Sequence, residues 1–141
     1  MGYGRDLTLS DYRNLAEFRR QIRRFLSFSE AVAKRHGIEP RQHQTLITLK
    51  GLPDDVSPTI GEIASRLFIR HHSAVQLVDR LVAAGFVVRT RAQRDKRQVR
   101  LRLTASGSAL LRKLSIVHRL ELERFGPELA QALNAVIRKS R

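Results

Sequence analysis

A mainly α-helical chain with one small β-hairpin is the fold class this sequence predicts, organised as a winged helix-turn-helix lobe with further helices before and after it. Three observations predict it. Apolar residues recur at steps of three and four through most of the 141 residues, the period of amphipathic helices. Two of these helical stretches are short and are separated only by Phe68-Ile69-Arg70, the signature of a helix-turn-helix. One stretch, Val99 to Leu103, instead alternates apolar residues with Arg100 and Arg102, the period of a half-buried strand.

From Ser10 to His36, Leu15, Phe18, Ile22, Phe25, Leu26 and Val32 form one apolar stripe among Arg and Glu, and Gly37 supplies the stop. Pro40 suits the first turn of a second helix, which runs through Leu46, Ile47 and Leu49 to Gly51. A linker, Leu52 to Ser57, follows. Thr59 and Glu62 have the spacing of a capping box, in which hydroxyl and carboxylate each satisfy one orphan amide, and they open a third helix to Leu67. The fourth helix begins at His71 or His72 and reaches Ala84, with Gly85 as its stop. Phe86 to Arg91 and Val99 to Leu103 then make a hairpin around a polar tip. Thr104 opens a long helix through Leu110, Leu114, Val117, Leu120 and Phe125, which Gly126-Pro127 is expected to interrupt before a last helix carrying Leu129, Leu133, Val136 and Ile137. The N- and C-terminal helices each expose an apolar stripe that a small lobe cannot cover, and a helical dimer interface is the economical explanation.

Charge separates the function classes. Lys and Arg number 27 against 13 Asp and Glu, a formal +14, which predicts attraction to polyanions, nucleic acid ahead of an anionic membrane surface. An Arg bias from codon composition would spread that charge evenly. Instead, Arg89 to Arg102 holds seven basic residues and one acidic one, concentrated on the hairpin. With no cysteine, disulfides and Cys-ligated zinc are excluded, and a reducing cytoplasm is the expected compartment. The N-terminus has no secretory signal pattern and no apolar run approaches a membrane span, so no membrane partner is expected.

The residues resemble the MarR family of bacterial transcription regulators. Asp95-Lys96-Arg97 followed by Gln98 to Thr104 fits that family's wing motif of Asp, any residue, Arg, then a strand ending in Leu-Thr. Gly61-Glu62-Ile63-Ala64-Ser65-Arg66-Leu67, Val78-Asp79-Arg80-Leu81 and Gly85-Phe86-Val87 match in the same order. The resemblance implies one MarR-type domain over 1–141, with a winged helix-turn-helix lobe at 38–104 and dimerisation helices at 9–37 and 105–141. It implies a homodimer whose two lobes bind successive major grooves of a pseudo-palindromic operator in double-stranded DNA. It also implies a small-molecule effector in a cleft between the dimerisation helices and the DNA-binding lobe, and a repressor or activator of transcription, with a ligand-responsive repressor as the leading form. Tyr12, Phe18 and His43 are candidates to line that cleft, against the simpler assignment of all three to core or surface.

Within the fourth helix, Ala74, Leu77, Val78 and Leu81 form the stripe expected to be buried, which turns His72, Ser73, Val75, Gln76 and Arg80 outward. Residues in the first turns of a recognition helix reach base edges, so His72, Ser73 and Gln76 are assigned direct readout, with Val75 placed to meet a thymine methyl. Arg97 is assigned to the minor groove, where narrow A·T tracts attract guanidinium. Asp95 is its orienting partner or simply the residue that starts the turn. Arg94, Lys96, Arg89 and Arg100 contact phosphates or stay solvated.

Catalysis and metal binding find no constellation. No His-x-x-x-His pair occurs among His36, His43, His71, His72 and His118, so no metal or other cofactor is expected; His36 is better placed as a cap at a helix C-terminus. Ser106-Gly107-Ser108 opens a helix and lacks the strand-turn-helix setting of a nucleophile elbow. The competing class is a non-specific architectural DNA-binding protein held by its net charge. An RNA target is disfavoured because the wing carries no stacking aromatics.

Overall fold

The computed structural model describes residues 6–91 and 97–139. The element order is α1 (Leu9–Arg35), α2 (Pro40–Lys50), α3 (Ile60–Leu67), α4 (His71–Ala83), β1 (Val87–Arg91), β2 (Val99–Leu103) and α5 (Ala105–Lys139). This is the mainly α class with a single antiparallel hairpin that the periodicities predict. Contacts divide the chain into two units: one takes in the chain up to Ala31 and from Ile116 onward, the other Val32–Ser115.

In the first unit, α1 starts one residue earlier than its apolar pattern indicates because Thr8 and Asp11 cap it reciprocally. The Thr8 amide donates to Asp11 Oδ2 at 2.8 Å and the Asp11 amide to Thr8 Oγ1 at 3.2 Å. Opposite α1 runs the C-terminal part of α5. Arg24 spans the two helices, donating to Glu128 at 2.8 Å with its guanidinium 3.8 Å above the Phe125 ring. His118 is buried edge-on against Phe25 and Phe28, and its Nε2 lies 2.8 Å from the Ser29 hydroxyl. The expected interruption at Gly126-Pro127 is corrected: α5 is one helix of 35 residues with Pro127 inside it. Proline removes a single i→i−4 bond, the one to Glu123, and the bonds on either side suffice to carry the helix through.

The second unit closes a compact core. Leu46 from α2, Ile63 from α3, Val78 and Leu81 from α4, Val87 from β1, Leu101 from β2 and Leu114 from α5 are each 3% exposed or less, and each such side chain contributes roughly 1.5–3 kcal/mol by leaving water. The strands pair from Val87↔Leu103 to Arg91↔Val99. The Leu101 amide also donates to the Pro58 carbonyl at 2.8 Å, which ties the hairpin to the residue before the N-cap of α3. Thr104 fastens the start of α5: its hydroxyl donates to the Gly85 carbonyl and accepts from the Gly107 amide. A β-carbon on Gly107 would stand 2.1 Å from the Phe86 carbonyl oxygen, so only glycine permits this approach.

Candidate nucleic-acid interface

Helix α3 starts on half of the expected capping box. The Thr59 hydroxyl accepts from the Glu62 amide at 3.2 Å, but the Glu62 carboxylate turns to Arg66 at 2.9 Å and does not reach back. An i,i+4 cation competes for the carboxylate better than an amide does. The helix ends on Phe68, whose backbone is left-handed at φ 54 and whose side chain is 96% exposed. That conformation ordinarily belongs to glycine, and here it makes the sharp turn into α4.

Helix α4 buries Ala74, Leu77, Val78 and Leu81, the stripe expected from sequence. His72, Gln76 and Arg80 are exposed and Ser73 and Val75 half-exposed on the remaining surface. The Gln76 amide nitrogen lies 3.2 Å from His72 Nε2. Gln76 retains its oxygen and a second N–H, the two groups that an adenine edge takes. Arg70 occupies the N-cap position of α4 and makes no side-chain cap, which leaves the positive end of the helix open to an anion.

The hairpin carries its charge as the alternation requires. Leu101 is buried while Arg100 and Arg102 are exposed, and Arg100 donates to Gln98 at 3.2 Å. Arg97 is exposed in the turn before β2. Arg94, Asp95 and Lys96 lie outside the described residues, and with them the pairing expected between Asp95 and Arg97.

Two cations are held by acids that sequence reasoning did not single out. Arg89 shares a strand face with Leu101 and reaches back to Asp79 on α4 in an ion pair, so it is neither simply solvated nor left to phosphate alone. Arg80 donates to Glu39, the N-cap residue of α2, at 2.9 Å. Asp79 falls on the exposed flank of the α4 stripe and was legible as a partner for a following strand. Glu39 lies 41 residues from Arg80, and no local pattern announces that contact.

The remaining candidates fall in different places. Tyr12 is exposed and Phe18 half-buried on α1 in the first unit, while His43 is buried on α2 in the second. His36 Nδ1 lies 2.9 Å from the Val32 carbonyl, the capping role expected of it at the end of α1. No group of three or more His, Asp or Glu able to hold a metal occurs among the described residues, and no helix there is long and apolar enough to cross a membrane.

Comparison with known proteins relates this region to a family. The MarR family model matches residues 36–98. The chain is 30% identical over 92 residues to the uncharacterized HTH-type transcriptional regulator YkoM of Bacillus subtilis (strain 168), covering 65% of this chain and 58% of that protein. It is 31% identical over 91 residues to the HTH-type transcriptional regulator PecS of Dickeya dadantii (strain 3937), covering 63% and 54%. The match thus spans little more than half the length of either relative. Among solved structures, a mutant of S. aureus MepR bound to an oligodeoxyribonucleotide is 20% identical, covers 96% of both chains and superposes with a TM-score of 0.66, which shows the shared fold. The residues that build its helix-turn-helix and the first strand of its wing are thus similar to the MarR family, and the solved structures share its fold.

Proposed function

We propose that this chain is a sequence-specific regulator of transcription that binds double-stranded DNA as a homodimer on a pseudo-palindromic operator. The observation that carries the reading is the division of α4: its stripe Ala74, Leu77, Val78 and Leu81 is buried, while His72 and Gln76 are exposed and Ser73 half-exposed in its first turns, and a cationic hairpin follows the helix. Those residues read bases in the major groove, and Val75 meets a thymine methyl. Arg97, with Asp95 beside it, enters the minor groove; Arg80, Arg94 and Lys96 engage phosphates. Residues 38–104 act as the reading lobe, and the helices at 9–37 and 105–141 pair two chains. The ligand class is supported by the S. aureus MepR mutant of the same fold, which is bound to an oligodeoxyribonucleotide.

The mode of control we assign is repression released by a small molecule, through differential affinity of that molecule for two arrangements of the dimer. Selection of bound sequences from a random DNA pool, at physiological salt, tests the whole reading. A palindrome with half-sites about one helical turn apart is expected. A bound pool with no enriched sequence would instead indicate an architectural protein that coats DNA through its +14 charge.

A further inference from the structure

We propose that Glu39 is a specificity-determining residue that restrains Arg80 and so lowers the affinity of the chain for unrelated DNA. The inference rests on the DNA-binding reading and concerns how that surface discriminates. Arg80 lies on the exposed side of α4, toward its C-terminal end and away from the residues assigned to bases, where a recognition helix faces the sugar-phosphate backbone. Its Nη1 donates to Glu39 Oε2 at 2.9 Å, and the side chains are 56% and 58% exposed. An ion pair this open is weakly held. It is therefore broken or shared whenever a phosphate arrives in good geometry, since a guanidinium carries five N–H donors. A phosphate arriving in poor geometry meets a cation already neutralised and a carboxylate beside it. The pair thus penalises loosely docked duplex more than the correctly docked operator.

Duplex binding across a salt series tests this with four chains: wild type, Glu39→Gln, Glu39→Asp and Asp54→Asn. The last removes one exposed negative charge from the lobe without touching Arg80. Glu39→Gln is expected to raise affinity for unrelated duplex about two- to five-fold, and affinity for a selected site less. It is also expected to steepen the salt slope on unrelated duplex by about 0.9, one phosphate's worth. Glu39→Asp, which keeps the charge but is one methylene too short for the contact, is expected to follow Glu39→Gln; in an Arg80→Ala background both effects shrink to that of Asp54→Asn. Equal effects of Asp54→Asn and Glu39→Gln, or wild-type behaviour of Glu39→Asp, would overturn the role of the pair while leaving DNA binding intact. A wild-type chain that binds no duplex would overturn the functional reading itself.

Discussion

The two units of the chain treat their apolar residues in opposite ways. In the Val32–Ser115 unit the helices and hairpin converge on a closed core, and the only large apolar side chains left exposed among its described residues are Ile47 and Phe68. In the other unit, Leu9, Tyr12, Leu15, Ile22 and Leu26 on α1 and Ile116, Leu120, Leu122, Leu133 and Ile137 on α5 are all more than a third exposed. Two helices can bury only the stripes that face each other, so a two-helix unit of this composition has apolar surface to spare. The Val32–Ser115 unit thus closes its own core, while the helical unit leaves apolar surface exposed.

Substitutions that treat the two units alike sharpen that contrast. Leu81→Ala, fully buried in the lobe, is expected to cost about 2–5 kcal/mol in denaturant unfolding. Leu120→Ala, at 59% exposure in the helical unit, is expected to cost less than about 0.5 kcal/mol in dilute protein, with a larger effect emerging only as protein concentration rises. Equal costs at every concentration would break the comparison. Gly107→Ala drives a β-carbon into the Phe86 backbone and is expected to cost about 1–3 kcal/mol of lobe stability. Arg97→Ala is expected to leave stability unchanged but to remove about 1–3 kcal/mol of operator affinity and lower the salt slope.

Two smaller effects probe single residues. Phe68→Gly relieves a left-handed backbone at the cost of added chain freedom and gives up almost no burial, so a net gain of about 0.5–1 kcal/mol is expected by thermal unfolding. Glu17 is held down to about 2 by its hydrogen bond from Arg20, with Gln21 assisting. Its depressed value means that the interaction is fully present above the ordinary carboxylate value near 4.5 and is lost as pH falls toward about 2. Arg20→Ala should bring the Glu17 titration, followed by NMR, back toward its ordinary range.

Most of this architecture was legible because periodicity reports burial. The stripe Ala74, Leu77, Val78 and Leu81 and the alternation through Leu101 are direct statements of which face meets the core, and the structure buries them accordingly. Contacts set by competition between distant groups were not legible. Glu62 had a cap to complete and an Arg66 to pair with, and the cation won. Glu39 and Arg80 meet only because the tertiary fold brings the start of α2 to the side of α4. Pro127 reads locally as a stop, yet one missing hydrogen bond is too small a loss to end a helix that continues on both sides of it. Phe68 carries the opposite lesson: a residue that disfavours the left-handed turn sits in it because the Ile69 amide still closes onto the Ala64 carbonyl.

The measurement that bears most directly on the contrast between the units is the mass of the protein in solution, by sedimentation equilibrium, alone and on a selected duplex. Twice the mass of one chain is expected in both states, with a Leu120→Glu, Leu133→Glu double variant reduced to a folded single chain that has lost most of its operator affinity. A wild-type single chain that binds the duplex with full affinity would contradict the assignment of the helical unit to pairing.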